Sequence, residues 1–185
     1  MGCSRIHYPE FYIKKEGILM VYFVQLEETW LDYPTPDGNA VIAYFCGCEH
    51  HCLGCHSPLL QQEYEYAESK EEILNRIIEY TNRADTNKLV FLGGDPLYSK
   101  NLELVKYLVS NLSNKYDICI FTGYDIDYVK KLALKGVKFW KCGRFDINNI
   151  RKSGKTDEEY VLASPNQNFY DEQYNLISEN GILKF

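Results

Sequence analysis

The chain has 185 residues, 45% of them hydrophobic and 25% charged, a balance suited to one globular unit that can bury a core. Twenty Lys and Arg against twenty-six Asp and Glu give a net charge of −6, which argues against a broad nucleic-acid or anionic-membrane surface. No stretch is long and apolar enough to span a bilayer. Met1–Ile6 lacks an apolar signal core, and Ile6 stands where a myristoylation pattern wants Ser or Thr, so the seven cysteines are expected as thiols or metal ligands of a cytoplasmic protein.

Taken in chain order, Gly17–Leu26 is a β-rich run, and Pro34–Asn39 is a turn cluster. Ala40–Phe45 reads as a short apolar strand leading straight into a cysteine-rich loop. Ser69–Thr81 reads as a helix, with Ser69 as N-cap, Glu72 three residues later, and Ile73, Ile77 and Tyr80 on one face. Leu89–Leu92 is a strand ending at Gly93-Gly94. Leu102–Leu112 is helical, with Leu104, Leu108 and Leu112 at four-residue steps. Ile118–Phe121 is a strand ending at Thr122-Gly123. Ile126–Leu134 is a helix closed by Gly136, and Val137–Trp140 is the next strand. The tail Tyr174–Phe185 reads as a β-hairpin turning near Glu179-Asn180-Gly181.

This alternation predicts parallel βαβ units in one domain spanning 1–185. The unusual residues fall just after strands: the cysteine loop, Gly93-Gly94-Asp95, Thr122-Gly123 and Cys142-Gly143. Ligands of parallel α/β folds bind at the carboxyl ends of strands, so one site built from four strand ends is expected. Eight βα units do not fit in this length, which leaves a partial barrel or an open curved sheet.

The loop reads Phe45-Cys46-Gly47-Cys48-Glu49-His50-His51-Cys52-Leu53-Gly54-Cys55-His56. Cys48, Cys52 and Cys55 have CxxxCxxC spacing. A four-iron cubane ordinarily takes four thiolates, and a motif supplying three leaves one iron open, the mark of a reactive rather than a structural site. Cys with His also suits zinc, but a closed zinc site usually pairs two knuckles and no second CxxC is present. Cys3, Cys46 and Cys119 read as packed or surface residues. Gly93-Gly94 lets a small molecule approach bare backbone. Asp95 is placed either to accept from an ammonium group or to cap the following turn, with Pro96 at its first position. Ser153-Gly154-Lys155-Thr156 misses a phosphate-loop pattern, because Asn149 stands where its first glycine belongs; it reads as a solvated loop.

These motifs together resemble the activating enzymes of anaerobic (class III) ribonucleotide reductases, small proteins of the radical S-adenosylmethionine (SAM) superfamily. The resemblance rests on the CxxxCxxC followed by His56, on Gly93-Gly94-Asp95-Pro96-Leu97, and on Thr122-Gly123-Tyr124. It continues through Gly143-Arg144-Phe145 and Ser164-Pro165-Asn166-Gln167. The chain departs from the family in having Cys142 where Asp is usual before the glycine, and Ala163 where Gly is usual before Ser164.

The resemblance implies a partial (β/α) barrel with a C-terminal hairpin. It implies a [4Fe–4S] cluster held by Cys48, Cys52 and Cys55, with SAM on the open iron. Gly54, Cys55 and His56 would line its adenosyl part. Gly93 and Gly94 would edge its methionine end, supported by Asp95, with Thr122 and Gly123 as further contacts. Reductive cleavage of SAM would yield a deoxyadenosyl radical that takes a glycine Cα hydrogen from the large, glycyl-radical subunit of an anaerobic ribonucleotide reductase. A flavodoxin or ferredoxin would supply the electron. The alternatives are a small radical SAM enzyme acting on a free metabolite, such as a deazaguanine synthase, and a non-catalytic zinc or cluster-binding module.

Overall fold

A computed structural model describes residues 24–63 and 68–185. The run predicted at Gly17–Leu26 therefore lies mostly outside the described residues, as does Cys3. Six strands form the main sheet. β1 (Val24–Thr29) pairs antiparallel with β2 (Ala40–Phe45), and β3 (Lys88–Gly93), β4 (Asp117–Phe121) and β5 (Phe139–Cys142) follow in parallel register. A later strand at Asn168–Asp171 closes the far edge antiparallel to β5. The sheet is open. Its parallel strands lie in sequence order, as successive crossovers wound in one sense would place them.

Three helices make the crossovers. α1 (Lys70–Arg83) starts at a capping box: Glu72 N donates to Ser69 Oγ at 3.2 Å, and Ser69 N donates to Glu72 Oε2 at 2.8 Å. α2 (Leu102–Leu112) buries Leu104, Val105, Leu108, Val109 and Leu112, the stripe its apolar spacing predicts. α3 (Ile126–Leu132) is capped by Asp125, which accepts from Tyr128 N at 2.8 Å. It ends two residues earlier than predicted, because Ala133 adopts a left-handed φ of 49°. The helices share one core with Val41, Ala43, Phe45, Leu89, Phe91, Ile118, Ile120 and Trp140 from the sheet.

The opposite face of the sheet packs on other partners. Ala40, Ile42, Val90 and Cys119 meet Tyr33, Tyr160, Leu162, Phe169 and Leu183. Tyr160 and Leu183 belong to a small antiparallel sheet of β6 (Gly154–Lys155), β7 (Glu159–Val161) and β9 (Ile182–Lys184), with β8 the Asn168–Asp171 strand. Two expectations are corrected here. Gly154-Lys155 is a strand rather than a solvated loop; Lys155 Nζ donates to Tyr33 O at 2.9 Å, which pins the Trp30–Gly38 segment. The tail does turn at Asn180-Gly181, both left-handed, between the reciprocally bonded Glu179 and Ile182. The returning strand then pairs with β7, so the hairpin is a single residue pair and not a two-stranded unit.

Candidate metal centre

Backbone hydrogen bonds hold the cysteine loop at the carboxyl end of β2. Phe45 O accepts from Gly94 N, and Gly47 O from Asp95 N, both at 2.8 Å. Gly47 N donates to Leu60 O at 2.8 Å. The loop is thereby clasped between the end of β3 and a 3-10 turn at Pro58–Gln61. Within it, Gly47, His51 and Gly54 have φ of 86°, 49° and 71°. These left-handed residues curl the chain, and Cys48, Cys52 and Cys55 all line a cavity of about 450 Å³. All three are unbridged and partly exposed. Ser57 N donates to Cys55 Sγ at 3.4 Å, and burial pushes the Cys48 thiol up. Three thiols of one loop, lining one space, fit a cluster held by that loop.

Asp95 is 0% exposed and fully engaged. Its Oδ1 accepts from Leu97 N at 2.8 Å. Its Oδ2 accepts from Gly123 N at 2.9 Å and lies 2.7 Å from His50 Nε2. Thr122 Oγ1 sits within 3.0 Å of both oxygens. The carboxylate thus ties the cysteine loop to the end of β4. It does not line the cavity: of the two placements open in the sequence, the bond from Leu97 N is that of the turn cap, and Asp95 supports the site as a strut behind the wall. Asn101 Nδ2 reinforces it, donating to Cys46 O at 2.8 Å and Asp95 O at 3.0 Å. Cys48, His50 and Asp95 also bring one ligand atom each within 4.8 Å of one another. Those carboxylate oxygens already accept several protein donors, which disfavours a cation there.

The glycine pair also has a packing role. A Cβ on Gly94 would meet Leu60 O at 2.4 Å and Gly47 O at 2.5 Å; one on Gly93, whose φ is 121°, would meet Phe45 O at 2.4 Å. The missing side chains therefore let two backbones pass, although both glycines also border the cavity. Gly123 likewise abuts the His50 ring, 2.3 Å from its would-be Cβ. Gly54 lies under Ile147 and Phe145 and outside the cavity lining. Cys55, His56, Thr122 and Gly123 do line it. His56 packs on Phe145 with ring centroids 5.0 Å apart.

The later motifs close the rim. Gly143 N donates to Tyr124 O at 3.0 Å, Gln167 Nε2 to Gly143 O at 3.2 Å, and Asn166 Nδ2 to Arg144 O at 2.8 Å. Cys142 is buried on the helix side, its thiol pushed up to about 12 by burial. Two cavity residues were not singled out from the sequence. His50 is 8% exposed, and its Nδ1 has no partner among the described residues. Lys141 lines the cavity from β5, and burial pulls its ammonium down to about 8. The signal for Lys141 was a cation in register with inward-facing Phe139; ending the strand at Trp140 concealed it.

A loop of three thiols at the carboxyl end of a parallel sheet defines an iron–sulfur protein in class, and sequence comparison agrees. The chain belongs to the 4Fe-4S single cluster domain family, whose profile matches residues 36–169. It is also 27% identical over 121 residues to the anaerobic ribonucleoside-triphosphate reductase-activating protein of Enterobacteria phage T4, covering 63% of this chain and 78% of that protein. No solved structure matches the chain. Among the described residues, no helix is long and apolar enough to cross a membrane.

Proposed function

We propose that this chain is a radical SAM activating enzyme that reductively cleaves S-adenosylmethionine and places a glycyl radical on a partner anaerobic ribonucleoside-triphosphate reductase. The observation that carries the reading is the set of Cys48, Cys52 and Cys55, all lining one cavity. The similarity to the phage T4 activating protein supports the choice of partner. A partial barrel in a single domain is the architecture we assign to it, on the sequential parallel strands and one-sided helices.

When bound, a site-differentiated [4Fe–4S] cluster supplies one-electron reduction of a sulfonium at its open iron. The chain does the rest. Cys48, Cys52 and Cys55 would hold the cluster. Gly93 and Gly94 keep the cysteine loop seated and would border the methionine end. His56, Thr122 and Gly123 would line the adenosyl part. Leu92 and Phe121 add apolar lining that would limit water in the cavity. A flavodoxin or ferredoxin is the electron donor we assign, in a cytoplasmic setting.

Anaerobic reconstitution followed by electron paramagnetic resonance, with and without SAM, tests the cofactor pair. A cluster signal that changes on adding SAM is expected; stoichiometric zinc without iron would favour the interaction-module reading. Mixing the reduced, SAM-loaded protein with a class III reductase from the same source tests the partner. A glycine-centred radical on the reductase is expected. Its absence, with SAM turnover on a deazapurine precursor alone, would replace this reading by the metabolite enzyme.

A further inference from the structure

Among the described residues, Lys141 is a cation with no counter-ion. Its strand neighbours in register are Phe121 on β4 and Phe169 on β8. Its Nζ lies 5.7 Å from the Phe121 ring centroid. Among the described residues, no carboxylate comes within ion-pair distance of it, and its ammonium makes no hydrogen bond. The negative or potentially negative groups near enough to act on it are Cys142, Asp95, Cys52 and Cys119. Asp95 is already bound by His50, Thr122, Gly123 and Leu97. Cys142 and Cys119 are buried thiols held in the protonated form by desolvation. That leaves Cys52, an assigned cluster ligand that lines the same cavity as Lys141, as the group whose charge would change when the site is filled.

The Lys141 ammonium is half-buried on the cavity wall and rests near the Phe121 ring. A negative charge placed in that cavity would attract it. A cluster on three thiolates is net negative and gains a further negative charge on one-electron reduction. Coulomb attraction at reduced dielectric reaches beyond contact distance, so Lys141 needs no bond to the cluster to act on it.

We propose that Lys141 is the counter-charge of the cysteine-held cluster, favouring its reduced state and so raising its reduction potential. The electron comes from an external one-electron reductant, and no proton or ligand need move. This rests on the cluster assignment alone and is independent of the partner reductase, so failure of glycine activation would leave it untouched.

The test is a redox titration with dithionite on the reconstituted full chain, without SAM, comparing wild type, Lys141→Met and Lys141→Arg. Iron content and thermal stability are measured alongside. The expected result for Lys141→Met is a full cluster with a reduction equilibrium constant about tenfold lower, roughly 59 mV for one electron. Lys141→Arg should stay close to wild type. Loss of the cluster in the Met variant but not the Arg variant would also support a required charge. Equal potentials in wild type and Lys141→Met would overturn the proposal. So would an Arg variant shifted as far as Met, or cluster loss in both, because shape would then matter and charge would not. An effect seen only once SAM is added would overturn it too, assigning Lys141 to a ligand carboxylate instead.

Discussion

The two faces of the main sheet come from the same strands and carry opposite chemistry. Toward the helices, β2 turns Val41, Ala43 and Phe45, and β5 turns Trp140 and Cys142, into one apolar cluster. On the other face the same strands present Ile42 and Tyr44, and Phe139 and Lys141. Cover there comes from the Trp30–Gly38 segment and the small sheet instead of helices. Toward the carboxyl ends this face opens into the cavity. The helix face supplies cohesion, and the other face supplies space and polarity. A strand's period of two lets both be written in alternate residues.

The largest expected effect falls on the cavity face. Cys48→Ala, Cys52→Ala or Cys55→Ala should each abolish cluster binding, read as loss of iron and of visible absorbance, with the fold retained by circular dichroism. Cys46, Cys119 and Cys142 should each be dispensable for the cluster; an essential Cys142, which belongs to the helix face, would break the division between faces. Gly94→Val should come next. Its side chain would meet two backbone carbonyls at about van der Waals-forbidden distance, so iron loading should fall together with any SAM affinity. Intact loading with only SAM affinity lost would restore the simpler idea of a glycine that makes room for a ligand.

Leu108→Ala tests the opposite face. It should cost about 2–5 kcal/mol in denaturant unfolding and leave iron per folded molecule unchanged. Asp95→Ala should cost less, about 1–3 kcal/mol from the donors left unpaired, yet reduce iron loading, because the strut joins the cysteine loop to β4. The remaining test of the cavity face is a pH slope. The folded Lys141 titrates near 8 and the unfolded one near 10.5. Between those values the unfolded state binds more protons, so this residue makes stability of the metal-free protein rise with pH. The difference in stability between wild type and Lys141→Met, measured across that window, should show the rise. A flat difference would place the ammonium in ordinary solvent.

The helix face was the more legible one. Leu102–Leu112 and Ala40–Phe45 have the bounds their periodicity and apolar content predict, since each obeys one dominant rule. The cysteine spacing pointed to the metal centre just as directly. The strut and the packed glycines were hidden, because Asp95 and Gly94 look the same in sequence whether they face a ligand or a neighbouring backbone. Only the register of β2, β3 and β4 decides between those roles. The tail was misread for a related reason: Asn180-Gly181 fixes a turn locally, but the choice of β7 as partner is a long-range matter of which edge is free.

The hydrogen bonds that clasp the cysteine loop also set an order of events. Gly47 binds residues on both sides of α1, and His50 reaches Asp95 across 45 residues, which in turn reaches Thr122 across 27. None of these links exists in a chain that has made only its first strands. Such distant contacts form late, after the costly loop closures that bring parallel strands together. During synthesis the three thiols therefore emerge long before their seat does. The seat of the cysteine loop is complete only once the chain has reached the end of β4.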